Sequence, residues 1–245
     1  MHATWRSRHY PWFVSPATVD LLAHERPLVA RGEIVVGLDE VGRGALAGPV
    51  TVGAVALSTV TAPPVGLTDS KLLSAAQRDA LEQPIREWAC DWSLGSASAR
   101  EIDEWGLRLA LAVAATRAMD GLRVRPTFAL LDGSFNLLRA PLDVSFTATA
   151  PPALTYADLA HRTVIRGDSA CASIAAASVL AKVHRDRLMV DLDAGRSVFG
   201  WASNKGYGAP RHLEALRSHG PSEHHRRSWN LPPWRGSSGP VGESA

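Results

Sequence analysis

Acidic residues follow three of the apolar, strand-like segments of this sequence. Asp39 and Glu40 come directly after the run IVVGL, and Asp132 follows FALL. Asp168 follows VIRG and stands just before the run ACASIAAASVLAKV. A rigid sheet can bring together side chains that lie on the loops at its strand ends. The pattern therefore predicts a cluster of four carboxylates at one site.

Such a cluster needs a compensating positive charge. Unpaired carboxylates are costly to bury, and their mutual repulsion raises their pKa values unless a cation intervenes. Hard oxygen ligands suit Mg²⁺ or Mn²⁺, whereas the CxxC and HExxH spacings typical of zinc sites are absent from the sequence. Two divalent ions about 4 Å apart can stabilise both oxygens of an in-line phosphoryl displacement. We therefore expect the acids to hold one or two divalent ions.

Two of the acids also have a purely structural interpretation. Asp is a common helix N-cap, so Asp168 alone is compatible with capping the helix that follows it. The dipeptide Asp132-Gly133 alone is typical of a turn at a strand end.

The pair Asp39-Glu40 is harder to explain without function. Neighbouring strand residues point to opposite faces, so a regular strand would direct one acid into the core. We expect a bend at this pair, loosened by Gly42 and Gly44, that aims both acids at one site. A dinucleotide-binding loop is excluded, because a strand-like segment follows these glycines where that motif requires a helix.

The elements that must position these residues are strands alternating with helices, which predicts a mixed sheet covered by helices. The strand-like runs are 34–39, 50–57, 91–96, 127–132 and 163–166. The helix-like runs are 74–88, 100–122, 170–193 and 210–219, and Pro84 should kink or split the first of them.

Composition limits the remaining possibilities. The chain has 245 residues, 46% of them hydrophobic, and a formal net charge of +2, which neither requires nor excludes a polyanionic partner. The two cysteines form no disulfide framework. No segment offers the roughly 20 apolar residues of a membrane helix, so we expect a cytoplasmic protein without a membrane partner.

The ends of the sequence differ from its centre. We expect an N-terminal extension over 1–30, a catalytic domain with a helical C-terminal region over 31–230, and a disordered Pro-, Gly- and Ser-rich tail over 231–245. The Pro-rich stretch 147–161 predicts a surface loop.

Seven motifs occur in a fixed order, and together they resemble the bacterial ribonuclease HII family, the type 2 ribonucleases H. They are DEVGRG at 39–44, DSKLLS at 69–74, EID at 101–103, LLDG at 130–133, RGDSACASIAAASVLAKVHRDR at 166–187, NKGYG at 204–208 and HGPSEHHRRSW at 219–229.

The resemblance implies a ribonuclease H-like α/β fold, with a mixed five-stranded sheet flanked by helices and a small helical C-terminal part. It implies metal-dependent endonucleolytic cleavage of RNA in RNA–DNA hybrids and of single ribonucleotides in duplex DNA, leaving 3′-hydroxyl and 5′-phosphate ends. The catalytic and metal-binding residues that it implies are Asp39, Glu40, Asp132 and Asp168.

Substrate contacts are also implied by the resemblance. Gly42, Arg43 and Gly44 match the family's glycine–arginine–glycine element, and Tyr207 matches the tyrosine that senses the 2′-hydroxyl. For Lys71 and Lys205, each in a matching loop, we expect phosphate contacts. Other basic residues could line a phosphate path or simply form a solvated face: Arg166, Lys182, Arg185 and the run His224–Arg227.

We expect a monomer. Two alternative functions remain at this point: a non-catalytic nucleic-acid-binding protein, and a relative that cleaves hybrids but not single ribonucleotides. All four carboxylates are present, which argues against the first, and Tyr207 with an intact Gly-Arg-Gly argues against the second.

Overall fold

The computed structural model describes residues 20–139, 150–195 and 197–235. Five strands form one sheet: β1 (Val35–Val41), β2 (Val50–Leu57), β3 (Asp91–Ala97), β4 (Phe128–Asp132) and β5 (His161–Val164). The helices are α1 (Arg26–Val29), α2 (Ala75–Trp88), α3 (Ala99–Trp105), α4 (Leu107–Asp120), α5 (Gly167–Ala170), α6 (Ala172–Ala194), α7 (Trp201–Asn204) and α8 (Pro210–His219).

The sheet is mixed, as predicted. Its strand order is β3-β2-β1-β4-β5, with β2 antiparallel to both of its neighbours and with β1, β4 and β5 parallel. Helix α4 packs on one face and α6 on the other, so each face buries its own apolar cluster. This arrangement is the predicted ribonuclease H-like α/β fold.

Three predicted elements differ from the structure. The run 100–122 is two helices, because Gly106 adopts φ 74° and separates α3 from α4. The strand predicted at 163–166 lies at His161–Val164. Helix α2 is not split at Pro84, which is exposed, as is Ala80 four residues earlier, so water can reach the unpaired carbonyl.

The predicted terminal regions lie partly outside the described residues, which begin at 20 and end at 235. Within the predicted N-terminal extension, Leu22 and Leu28 are buried against the domain. Residues 150–160 of the predicted surface loop carry no helix or strand, and the Tyr156 hydroxyl donates to Asp120. No described helix has the length and apolar character needed to cross a membrane.

Candidate active site

The carboxyl ends of three parallel strands meet at one edge of the sheet. The β1–β4 register pairs Leu38 with Leu131, so Asp39 and Asp132, each the next residue, follow at the same level. The β4–β5 register pairs Asp132 with Val164, which ends β5. Because the strands run parallel, their ends bring the acids together as the sequence predicts.

Asp168 reaches this edge through a tight turn after β5. Arg166 adopts a left-handed conformation with φ 55°, which is uncommon for a residue other than glycine. The Gly167 N–H then donates to Asp132 Oδ1 at 2.7 Å, which connects the turn to the neighbouring strand end. Asp168 lies within the first turn of α5 and is not the N-cap residue of α5 or α6, so the helix-cap interpretation is wrong.

The bend expected at Asp39-Glu40 is absent. Both acids lie in the regular strand β1, opposite Gly53 and Val52 of β2. Gly53 faces α6 and Val52 belongs to the cluster that packs on α4, so the two acids point to opposite faces of the sheet. Asp39 and Glu40 nevertheless share the site without a bend, since the charges of Glu40, Asp132 and Asp168 all act on Asp39.

The site is electrostatically strained by its own acids. Asp39 is only 4% exposed, and its pKa is raised to about 8, first by burial and then by the charges of the other three acids. Burial also raises the pKa values of Glu40 and Asp132. Glu40 Oε1 accepts from Arg43 at 3.3 Å, while its buried Oε2 has no hydrogen-bond partner.

One ammonium group enters this cluster. Lys71 Nζ donates to Asp168 Oδ2 at 2.8 Å, and this hydrogen bond raises the pKa of Lys71. The lysine side chain is 74% exposed, so it approaches from solvent. In the described part of the chain, no three His, Cys, Asp or Glu side chains are already arranged around one metal position.

The loop after β1 is held from beneath by a buried arginine. Arg226 Nη2 donates to the Gly42 carbonyl at 2.6 Å, Nη1 donates to Arg43 at 2.9 Å, and Nε donates to Gly48 at 3.2 Å. The Arg226 side chain is fully buried, and burial lowers its pKa to about 9. Arg226 therefore does not line a phosphate path, which the sequence had left open.

A second buried arginine joins the same loop to the loop of Tyr207. Arg185 Nε donates to Pro49 at 2.8 Å, Nη2 to Ala47 at 3.1 Å and Nη1 to the Lys205 carbonyl at 2.9 Å. Its guanidinium lies 5.5 Å from the centre of the Tyr207 ring. Arg185 also cannot line a phosphate path, because it has no exposed surface.

Tyr207 lies beside the glycine–arginine–glycine loop. The Gly206 carbonyl accepts from Leu46 N–H at 2.8 Å and from Ala47 N–H at 3.2 Å, which connects the two loops directly. Tyr207 is 36% exposed and is therefore available for a ligand. Lys205 adopts φ 53°, and its ammonium donates to the Ala202 carbonyl rather than to a group of the acidic cluster.

Two buried histidines, His212 and His225, support the Tyr207 loop. His212 was assigned no role from the sequence, whereas His225 belongs to the run considered as a phosphate path or a solvated face and, at 1% exposed, forms neither. His212 Nδ1 lies 2.8 Å from the Tyr207 carbonyl, so it carries the proton that this bond requires. His212 Nε2 lies 2.9 Å from His225 Nε2 and accepts from the Trp201 indole at 3.2 Å. The only sequence feature that pointed to a role for His225 was its place in the motif HGPSEHHRRSW.

Comparison with known proteins matches this fold and set of motifs to one family. The sequence model of ribonuclease HII matches residues 36–231. The chain belongs to the ribonuclease HII family. Ribonuclease HII of Streptomyces coelicolor is 48% identical over 207 residues, which cover 83% of this chain and 81% of that protein. Ribonuclease HII of Burkholderia mallei is 46% identical over 202 residues, which cover 82% and 85%.

Solved structures agree with the ribonuclease HII assignment. The ribonuclease H2 of Pyrococcus horikoshii aligns with a TM-score of 0.58 at 25% identity, covering 80% of this chain and 93% of that one. The ribonuclease HII of Archaeoglobus fulgidus, solved in complex with PCNA, aligns with a TM-score of 0.55 at 25% identity, covering 75% and 85%. As a ribonuclease HII family member, the chain is a ribonuclease H-type endoribonuclease, and hence a hydrolase.

Proposed function

We propose that this endoribonuclease depends on divalent metal ions and cleaves RNA in RNA–DNA hybrids and single ribonucleotides embedded in duplex DNA. Its products are 3′-hydroxyl and 5′-phosphate ends. The observation that carries the proposal is the junction of two features at one sheet edge. Acids that lack full compensation lie at the strand ends, and the glycine–arginine–glycine loop, which runs on from β1, is hydrogen-bonded to the Tyr207 loop.

Asp39, Glu40, Asp132 and Asp168 are the residues proposed to hold the metal. They fit a hard divalent ion such as Mg²⁺ or Mn²⁺, because all are carboxylates and the buried Glu40 Oε2 lacks a partner. The related ribonuclease HIII that was solved with Mn²⁺ supports this only through its fold, since it is 20% identical. When bound, such ions offset phosphate charge and stabilise the attacking and leaving oxygens of an in-line displacement.

Lys71 is proposed to exchange its partner Asp168 for a substrate phosphate when metal and substrate bind. Its exposed ammonium is held by Asp168, which is one of the proposed ligands. When the carboxylate is engaged elsewhere, the flexible lysine is free to reach a phosphate of the substrate, which is the role expected from its motif. Lys205 lies in the loop of Tyr207 and is proposed to contact the phosphate backbone of the same substrate.

Reading of the ribose is proposed for Gly42, Arg43, Gly44 and Tyr207. A Cβ on Gly44 would have no atom within 4 Å, so the backbone there faces open space that a sugar can enter. Tyr207 offers an exposed ring and a hydroxyl beside it. The 2′-hydroxyl both donates and accepts hydrogen bonds, which suits recognition by backbone and phenol groups.

The test uses three labelled duplexes: an RNA–DNA hybrid, a DNA duplex with one ribonucleotide, and all-DNA. Each is incubated with Mg²⁺, with Mn²⁺ and with EDTA, and the ends are identified by ligation and phosphatase treatment. We expect cleavage of the first two only, and only with metal. Cleavage in EDTA, or a 2′,3′-cyclic phosphate end, would contradict the proposed mechanism. Cleavage of the hybrid alone would identify the hybrid-only relative, and binding without cleavage would identify a non-catalytic protein.

A further inference from the structure

The segment before β1 is integrated into the domain although the family match begins only at residue 36. Leu22 is 5% exposed, and Glu25 and Leu28 have no exposed surface. Leu22 packs in the cluster beneath α6, and Leu28 packs in a separate cluster with Val35 and Ile174. This segment therefore contacts both β1 and the start of α6.

Glu25 and Leu21 cap helix α6 from outside that helix. Glu25 Oε1 accepts from the Ser173 N–H at 2.9 Å and from the Ser173 hydroxyl at 2.7 Å. The Leu21 carbonyl accepts from the Ala172 N–H at 2.7 Å. The first N–H groups of a helix have no partner inside it, and the N-cap residue Cys171 makes no side-chain capping bond. The segment supplies what the helix lacks.

Ser173 also lies at a close contact between α6 and β1. A Cβ added to Gly37 would lie 2.3 Å from the Ser173 carbonyl carbon, so strand and helix backbones are in direct contact there. Gly37 stands two residues before Asp39, and Ser173 stands five residues after Asp168. The junction of Glu25, Ser173 and Gly37 thus lies between β1, which carries Asp39, and the start of α6, which directly follows the short helix α5 that carries Asp168.

A buried carboxylate is a costly way to make such a cap. Glu25 Oε2 is buried without a hydrogen-bond partner, and burial raises the Glu25 pKa. A Ser, Asp or Asn at the N-cap would satisfy the helix at lower cost but would not connect it to a third element. The burial of the Glu25 carboxylate is explained if its function is to fix the position of α6 relative to β1 and not only to stabilise the first turn of α6.

We propose that Glu25 is a positioning residue, which holds the start of α6 against β1 so that Asp168 stays opposite Asp39. The inference rests on the proposed metal-binding role of those acids. It predicts that Glu25 influences binding of the divalent ion without touching it.

The experiment compares full-length Glu25→Ala with a matched control, Asp91→Asn. Asp91 is also a buried carboxylate, 4% exposed, that accepts backbone N–H groups, from Trp92, Arg123 and Val124. It lies at the start of β3, opposite Ala56 near the end of β2, which is the other end of the sheet from the acids. Both variants therefore lose a buried carboxylate oxygen that accepts backbone N–H groups, but only Glu25→Ala loses it next to the site.

Mn²⁺ binding to metal-free protein is measured by calorimetry, together with Tm, kcat and KM. We expect Glu25→Ala to weaken Mn²⁺ binding by about tenfold or more, which is the effect typical of losing a partner that orients a metal ligand. We also expect it to lower kcat by a larger factor than it changes KM. Asp91→Asn should lower Tm while leaving the Kd for Mn²⁺ within about twofold, since it touches no element that carries a ligand. Glu25→Gln, which retains the acceptor oxygen, should restore most of the affinity.

If Glu25→Ala does not fold, Glu25→Asp decides by the same criterion, because it keeps the charge but withdraws the carboxylate from Ser173. Glu25 variants that change Tm alone, like Asp91→Asn, would overturn the inference while leaving the proposed function intact. Failure of the wild-type chain to bind Mn²⁺ or to cleave would instead overturn the proposed function itself.

Discussion

The acidic cluster and the two adjoining loops differ in how completely their polar groups are paired. At the cluster, Glu40 Oε2 has no hydrogen-bond partner, and the charges of the other three acids add to burial in raising the pKa of Asp39. In the loops, Arg185 and Arg226 donate to six backbone carbonyls, those of Gly42, Arg43, Ala47, Gly48, Pro49 and Lys205. The cluster thus keeps an unpaired oxygen, as the proposed cation binding requires, whereas the backbone of the loops is held in place by buried guanidinium groups.

The largest effect on activity should come from the cluster. Asp39→Asn should lower kcat by at least about a hundredfold, because a proposed metal ligand is lost. In metal-free buffer its Tm should equal or exceed that of the wild type, because one of the mutually repelling acids is neutralised. Steady-state kinetics and differential scanning calorimetry measure the two effects, with the exposed Asp158→Asn as control. A clearly lower Tm would indicate that Asp39 is chiefly structural.

The largest effect on stability should come from the loops. Arg226→Gln leaves the carbonyls of Gly42, Arg43 and Gly48 short of donors, and each unsatisfied buried acceptor costs ~1–3 kcal/mol. We expect the free energy of unfolding to fall by about 3 kcal/mol or more. Arg227→Gln, at the adjacent exposed position, should change it by less than about 0.5 kcal/mol. Both free energies are measured by urea denaturation. Equal losses for the two variants would contradict the inference that Arg226 stabilises the loop.

Substitutions at two glycines of the loop after β1 test its internal packing and its outer surface separately. Gly42 has φ 85°, and a Cβ there would lie 2.1 Å from Arg185 Nε, so Gly42→Ala should cost roughly 1–3 kcal/mol of stability. Gly44→Ala should leave Tm unchanged, because its Cβ meets no atom, yet it should lower cleavage at a single ribonucleotide. Melting curves and kcat/KM for both variants are the measurements. A stable, fully active Gly44→Ala would remove Gly44 from the substrate surface.

The smallest effect is expected at Tyr207. A net hydrogen bond contributes ~0.5–1.5 kcal/mol, so Tyr207→Phe should lower kcat/KM by about two- to tenfold. Tyr207→Ala should lower it further, because contact of the ring with the sugar is lost as well. Both losses should be greater on a single ribonucleotide than on a long hybrid, where neighbouring riboses offer alternative registers. Equal losses on the two substrates would argue that Tyr207 only supports its loop.

The sequence by itself determined the acids, the order of the strands along the chain and the family. Alternating apolar runs predict strands and helices from local periodicity, and an acid after a strand is visible without any neighbour. Helix α8 and strand β2 occupy the predicted residues. The break at Gly106 was missed because a glycine within a helical pattern is often tolerated, and only its φ of 74° in the fold ends α3.

Only the tertiary structure decided which charged residues face solvent and which are buried. Arg185 and Arg226 resemble surface residues in the sequence, and Glu25 lies in what the sequence presents as an extension. Their burial depends on partners far along the chain: Glu25 contacts Ser173, 148 residues away, and Arg226 contacts Gly42, 184 residues away. Local pattern reports how a segment alternates between polar and apolar residues. It carries no information on which carbonyl or N–H group a distant segment will bring to a side chain, and that pairing is what makes a buried charge tolerable.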